Sequence, residues 1–216
     1  HPLALHNLAV ELGDRDQHAE ALALLERAVR VRPDHPGIRT ELGNALMHLG
    51  RSDEALAQYH EALRLAPNDA HARHALGLAL AELNRPAEAI PHFEAALRAD
   101  PNLVEVHNSL GSALLRLGKT DAAIRAFQAL LQLVPQHHRA HDNLGVALAS
   151  LGQLDEALKH LREAARLEPN NAGTHFNLGN VLAMKGDLDE AARAYREALR
   201  LEPTLPQAHC HLGAVL

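Results

Sequence analysis

The stretch AHDNLGVALASLGQLDEALKHLREAARLEPN (residues 140–170) carries two helical patterns separated by a short break. In its first half Leu144 and Leu148 lie four positions apart, and in its second half Leu158 and Leu161 lie three apart. Residues at these spacings share one face of an α-helix. The break contains a glycine, which accepts the left-handed conformation that often ends a helix. The stretch therefore predicts two helices joined by a tight turn.

The same pattern recurs along the chain with a period of 34 residues. In each repeat a proline ends the second helix, because proline has no N–H to donate and clashes with the preceding turn. These prolines are Pro33, Pro67, Pro101, Pro135, Pro169 and Pro203. They divide the chain into six repeats and one further helix: 2–35, 36–69, 70–103, 104–137, 138–171, 172–205 and 206–216. Such self-similarity indicates a repeat protein, predicted as a single array over residues 1–216.

Small residues recur where the two helices of a repeat must meet. Positions are counted from the first residue of each repeat. Position 20 is alanine in every complete repeat, and position 8 is glycine in every repeat but the first. These positions let the helices approach closely, and a larger residue at position 24 fills the remaining gap. Position 8 is Ala9, Gly43, Gly77, Gly111, Gly145, Gly179 and Gly213. Position 24 is Leu25, Tyr59, Phe93, Phe127, Leu161 and Tyr195.

The two ends of the chain depart from the pattern. Arg15 and Asp16 stand where later repeats mostly have Leu-Gly, so the first helix is expected to end early, at Gly13. At the other end, residues 206–216 form a first helix without its partner. This helix serves either as a cap or as the start of a further repeat, and the second alternative is favoured because its outer face is not obviously polar.

The residues that recur at these repeat positions, which we call columns, resemble those of the tetratricopeptide repeat family over essentially the whole chain. The resemblance implies an all-α fold, a right-handed α-solenoid of six helix-turn-helix repeats plus one extra helix. It also implies a concave face lined by the first helix of each repeat. The AHDNLG and DEAL motifs are similar to those of O-GlcNAc-transferase-type arrays and of bacterial scaffold proteins.

Histidine recurs at position 4, on the packing stripe of the first helix. This column is Leu5, Arg39, Arg73, His107, His141, His175 and His209. Neighbouring helices are about 10 Å apart, whereas metal–nitrogen bonds are about 2.0–2.1 Å, so successive histidines cannot share an ion. No metal, cofactor or catalytic residue is predicted, and the ring is expected to pack half-buried. The cluster QHHRAH (residues 136–141) leaves adventitious metal binding open.

Composition excludes several classes of function. The formal net charge is −6, so no basic stripe for nucleic acid is expected. No apolar run approaches the roughly 18 residues of a membrane span, and Cys210 is the only cysteine. The P-loops and glycine-rich turns that bind nucleotides are also absent from the sequence.

Polar residues at positions 6 and 9 lie away from the packing stripe and predict an exposed groove. An asparagine amide both donates and accepts, so it can bind the backbone of an extended peptide. In O-GlcNAc-transferase-type arrays an asparagine ladder at position 6 is thought to do this, and here the ladder is interrupted. No lysine stands at position 5, which disfavours a receptor for chaperone tails. The peptide-groove candidates are Asn7, Asn44, Ser109, Asn143, Asn177 and Asn180.

Three functions are compatible with this pattern. The first is a non-catalytic scaffold that binds a protein or peptide in the groove, in the cytoplasm or, as an open alternative, in the periplasm. The second is the substrate-recruiting arm of a larger enzyme, such as a glycosyltransferase or sulfotransferase. The third is a self-assembling array in which helix 206–216 docks on another copy.

Overall fold

The computed structural model describes residues 2–216, and the regular structure of this part of the chain is entirely α-helical, as predicted. None of its helices combines the length and the apolar character that a bilayer crossing needs. The helices are α1 (Pro2–Gly13), α2 (His18–Val31), α3 (Pro36–His48), α4 (Ser52–Leu65), α5 (Ala70–Glu82), α6 (Pro86–Ala99), α7 (Val104–Arg116), α8 (Thr120–Leu133), α9 (His138–Ser150), α10 (Leu154–Leu167), α11 (Ala172–Lys185), α12 (Leu188–Leu201) and α13 (Pro206–Val215).

The repeat register sets where the second helices end. Helix α4, for example, ends at Leu65, Ala66 follows as its C-cap, and Pro67 comes next. The other second helices stop at the same distance from their prolines. Proline therefore ends these helices as the sequence predicts, since it can neither donate to the preceding turn nor fit against it.

Position 15 of every repeat adopts the left-handed conformation that ends the first helix. Four repeats use glycine, as at Gly152 with φ 74°. The first repeat uses Asp16 (φ 60°) and the third uses Asn84 (φ 59°). Asparagine and aspartate are the residues other than glycine that enter this region most readily. Helix α1 ends at Gly13, as expected from the altered turn.

The glycine column allows the two helices of a repeat to touch. A Cβ atom built on Gly77 would lie 2.5 Å from Cε1 of Phe93, and one on Gly43 would lie 2.5 Å from Cε1 of Tyr59. Both rings are almost completely buried. The position-24 side chain thus packs directly on the backbone of the first helix, which confirms the predicted role of the small residues.

Packing divides the chain into two compact units, the first ending at Ser109 and the second beginning at Leu110, within α7. In the first unit the backbones of α1 and α3, and of α3 and α5, lie close together. In the second unit the same holds for α9 with α11 and α11 with α13. Within each unit, the second helices of adjacent repeats, as far as the structure describes them, do not approach in this way. The single array over residues 1–216 stays a prediction.

Candidate functional site

A cavity of about 570 Å³ lies in the first compact unit, where the first helices α1, α3 and α5 come together. Helices α2 and α4 contribute part of its wall through His18, Ala21, Leu25 and Tyr59. Positions 2, 6, 9 and 13 of the repeat, the face opposite the packing stripe, supply many of its lining residues. We refer to it as the α1–α3–α5 cavity.

Part of the wall of the α1–α3–α5 cavity is apolar and open to solvent. Val10 and Leu78, both at position 9, are 37% and 44% exposed. Met47 and Ala75 extend this surface. Exposed aliphatic side chains that line a concavity are a common feature of binding grooves.

The charged groups of the cavity are carboxylates. Asp14, Glu41 and Glu82 line it, and among its lining residues in the described chain there is no lysine or arginine. None of the three takes part in an ion pair within residues 2–216. At neutral pH the cavity therefore presents uncompensated negative charge.

Asn44 lines the cavity as a predicted groove residue, but its amide is also used inside the repeat. The Tyr59 hydroxyl donates to its Oδ1 at 2.8 Å, and its Nδ2 donates to Glu41 Oε2 at 3.1 Å. Burial raises the pKa of Tyr59, and the negative charges of Glu41 and Glu82 raise it further. The hydroxyl accordingly stays protonated and remains a donor.

Histidines contribute much of the remaining polar surface of the cavity. The rings of His18 and His48 stack with their centroids 4.1 Å apart. His74 Nε2 lies 3.1 Å from Ser109 Oγ, whose proton is donated to the Glu105 carbonyl at 2.8 Å. Nε2 of His74 is therefore the donor in this chain of hydrogen bonds, and its ring is fixed at the edge of the cavity.

The other predicted groove residues do not line this cavity. Asn180 Oδ1 accepts from the Tyr195 hydroxyl at 2.9 Å, which repeats the Asn44–Tyr59 arrangement, and also lies 2.8 Å from His211 Nδ1. Asn177 donates to Asp142 of the preceding repeat at 3.0 Å. The remaining candidates differ in exposure: Asn7 is exposed, and Ser109 and Asn143 are half-buried.

The position-4 column has a role that sequence reasoning missed. His107 Nε2 donates to the carbonyl of Pro101 at 2.9 Å, and His141 to that of Pro135 at 3.0 Å. Arg73 donates to the carbonyl of Pro67 in the same way, at 2.6 Å. Arginine and histidine share a side-chain N–H that reaches the loop before the helix. The rings of His107, His141 and His175 are half-buried, as expected, whereas His209 is exposed.

The histidines of the cluster at residues 136–141 each make a different structural contact. Nδ1 of His137 accepts from the backbone N–H of Ala140 at 3.1 Å and caps α9. His138 lies beside Glu168. His141 is hydrogen-bonded through Nδ1 to His160 at 2.9 Å. Within residues 2–216, no group of three or more histidine, cysteine or carboxylate residues is arranged to hold a metal ion.

Comparison with known protein families agrees with this architecture. A model described as tetratricopeptide repeat matches residues 6–70, 40–104 and 108–172. The chain belongs to the tetratricopeptide repeat (TPR) family. Another tetratricopeptide repeat model matches residues 160–193 of this TPR protein, and a model described as TPR repeat matches residues 179–216. Among curated proteins, no sequence matches the chain.

Several solved structures are similar to this TPR protein. YrrB, described as a TPR protein with an unusual peptide-binding site, is 26% identical with a TM-score of 0.72, over 86% of this chain and 96% of YrrB. MamA from Desulfovibrio magneticus RS-1 is 25% identical with a TM-score of 0.72, over 79% of this chain and 97% of its own. PilF of Pseudomonas aeruginosa has a TM-score of 0.88 over 99% of this chain and 96% of PilF, but at 20% identity this likeness shows the fold alone.

Half-buried histidines are expected to make the stability of the TPR protein depend on pH. Burial lowers the pKa of His74, His92 and His160 in the folded chain. The unfolded chain takes up these protons near the ordinary histidine pKa of about 6.5, and the folded chain does so only at lower pH. Stability should therefore fall as the pH drops from about 6.5 through the lowered folded values.

Urea unfolding at about pH 7.5 and about pH 5.5 measures this effect. The variant His74→Gln/His92→Gln/His160→Gln should lose less stability on acidification than the wild type, and His209→Gln, which changes an exposed ring, serves as the control. Asp142 acts in the opposite direction, because burial raises its pKa despite hydrogen bonds from Asn177 and Thr174. An equal loss of stability in the triple variant and the wild type would contradict the prediction.

Proposed function

We propose that this TPR protein is a non-catalytic interaction module that binds an extended peptide segment of a protein partner. The observation that carries the proposal is the α1–α3–α5 cavity, which is formed by the first helices of three successive repeats. The exposed aliphatic side chains of Val10 and Leu78 support it, because burying them against a ligand would be favourable. The similarity to YrrB, described as having a peptide-binding site, also supports it.

The polar lining supports the same proposal. An extended peptide leaves its backbone N–H and C=O groups without partners, and it needs donors and acceptors on the groove wall. Asn44, Glu41 and His74 supply such groups beside the apolar wall. Asn7, Ser109, Asn143, Asn177 and Asn180 remain proposed groove residues on other parts of the first helices.

Filling the cavity tests the proposal. Residues 1–216 are panned against a phage-displayed library of random peptides, and the affinities of the enriched peptides are then measured by fluorescence anisotropy. Ala75→Trp places an indole on the cavity wall and should weaken binding at least about tenfold, which corresponds to roughly 1.4 kcal/mol. Ala87→Trp, an exposed position on α6 outside the cavity, should leave the affinity unchanged.

Folding of both variants is checked by circular dichroism and thermal unfolding. Leu78→Ser offers a second route, since it removes an exposed side chain from the cavity wall without adding volume. Peptides that bind the wild type and both cavity variants equally, or a library from which no peptide is enriched, would refute the proposal.

A further inference from the structure

We infer that the segment bound in the α1–α3–α5 cavity is basic: an arginine or lysine side chain enters the cavity while an apolar neighbour packs on Leu78 and Val10. This inference rests on the proposed function and names the chemistry of the partner. Two observations carry it: the wall of the cavity is partly apolar, and the charged residues among its described lining are carboxylates without a lysine or arginine beside them.

The apolar wall requires a ligand that brings its own hydrophobic contact. Leu78 and Val10 occupy position 9 of α5 and α1, and Asn44 holds the equivalent place in α3. A segment crossing the three helices would therefore meet an aliphatic side chain, an amide and a second aliphatic side chain in succession. Alternating apolar and polar residues satisfy this surface, whereas a uniformly charged segment does not.

The charges of the cavity determine which sign of charge a ligand must carry. Glu41 and Glu82 lie on α3 and α5, and Asp14 follows the end of α1, so the negative charge comes from all three repeats. The negative charges of both glutamates raise the pKa of Tyr59 in the cavity wall, so their field extends into the cavity. Because none of the described residues that line the cavity is a lysine or arginine that could neutralise these glutamates, a cationic side chain would gain their attraction and a carboxylate would be repelled.

The α1–α3–α5 cavity is thus negatively charged, whereas a groove that binds a carboxylate is positively charged. A receptor for acidic tails needs lysine or arginine on the first helices, and here the lining positions of α3 and α5 carry Glu41 and Glu82. Arginine suits such a site better than lysine, since its planar group can donate to two carboxylates and also stack on histidine rings such as those of His18 and His48.

Three pools of short fluorescent peptides test the inference. The pools share random alanine, leucine, serine and asparagine flanks and differ in a single central residue, which is arginine, glutamine or glutamate. The arginine pool should bind residues 1–216 about tenfold more tightly than the glutamine pool, and the glutamate pool most weakly. The arginine preference should fall as salt is added, because the charges are partly open to solvent.

Paired variants assign the preference to the cavity. Glu41→Gln/Glu82→Gln should bring the arginine and glutamine pools to within about twofold of one another. Glu20→Gln/Glu94→Gln changes the net charge equally at exposed positions outside the cavity and should keep the preference. Thermal unfolding confirms that both pairs remain folded.

The outcomes separate this inference from the proposed function. Pools that bind equally to the wild type but are lost in Ala75→Trp would refute the basic ligand and leave peptide binding in place. Binding unaffected by Ala75→Trp would refute both. An arginine preference that survives in Glu41→Gln/Glu82→Gln would show that the net charge of the protein, rather than the cavity, attracts the cation, and would also overturn the inference.

Discussion

Gly77→Ala is expected to lower the free energy of unfolding by about 2 kcal/mol, although it adds a single methyl group. The new Cβ would lie 2.5 Å from Cε1 and 2.7 Å from Cδ1 of Phe93, closer than carbon atoms can approach. Phe93 is fully buried, so its ring is enclosed by the rest of the protein rather than by solvent. An overlap this close is expected to cost about 3 kcal/mol, the upper end of the range for overpacking. The preference of a helix for alanine over glycine returns about 1 kcal/mol, which leaves a net loss of about 2 kcal/mol.

Gly213→Ala is the matched control for this prediction. Gly213 occupies the same repeat position on α13, and nothing lies within 4 Å of the Cβ that alanine would add there. This variant should be as stable as the wild type or slightly more stable, since only the helix preference changes. Urea unfolding followed by far-ultraviolet circular dichroism measures both variants.

The first repeat suggests how the loss at Gly77 can be rescued. It carries Ala9 and Leu25 at the two positions where the third repeat has Gly77 and Phe93, and both residues are buried. Gly77→Ala/Phe93→Leu should therefore be less destabilised than the sum of the single variants, by about 1–2 kcal/mol. Additive losses, or an unchanged midpoint for Gly77→Ala alone, would contradict the close packing of these two helices.

Much of the fold could be predicted because the same residue types recur at the same positions of several repeats. The prolines from Pro33 to Pro203 give the register, and helix ends, turns and interhelical contacts follow from it. Even the exceptions obey the same physics: Asp16 and Asn84 replace glycine at position 15 and still adopt positive φ. The altered turn of the first repeat was correctly predicted to end α1 at Gly13.

The side-chain hydrogen bonds were harder to predict, because they join columns that were considered separately. The spacing of position 4 predicts packing, but it does not connect the side-chain N–H of Arg73 or His107 with the proline carbonyl six residues earlier. Asparagine occurs at position 9 only in the two repeats that have tyrosine at position 24. That coincidence was the available signal for an internal partner of Asn44 and Asn180.

The α1–α3–α5 cavity itself had no sequence signal of this kind. Its volume depends on the spacing of three consecutive first helices and on which side chains fill the space between them. The repeat pattern predicts which positions face a groove, and Val10, Asn44 and Leu78 do line the cavity. It does not predict that carboxylates from three repeats surround a single pocket, since Asp14 and Glu82 share position 13 of the first and third repeats whereas Glu41 stands at position 6 of the second.

Asn44→Ala is expected to destabilise the TPR protein by about 2 kcal/mol, because it leaves the Tyr59 hydroxyl without its acceptor. Tyr59 is only 2% exposed, so water has little access to replace the amide oxygen that lies 2.8 Å from the hydroxyl. Tyr59→Phe should cost only about 1 kcal/mol, since the half-buried Asn44 amide that it leaves behind can reach solvent. Chemical unfolding of the two variants measures this difference.

Asn44→Leu/Tyr59→Phe recreates the pair Leu78 and Phe93 of the next repeat, and it should be nearly as stable as the wild type because both the donor and the acceptor of the internal hydrogen bond are removed. Equal losses for Asn44→Ala and Tyr59→Phe would contradict the internal hydrogen bond. Tyr59→Phe also separates the two roles assigned to Asn44, because it removes the internal bond and keeps the amide on the cavity wall. If the amide binds peptide backbone, Tyr59→Phe should retain peptide affinity, whereas Asn44→Leu/Tyr59→Phe, although stable, should lose it.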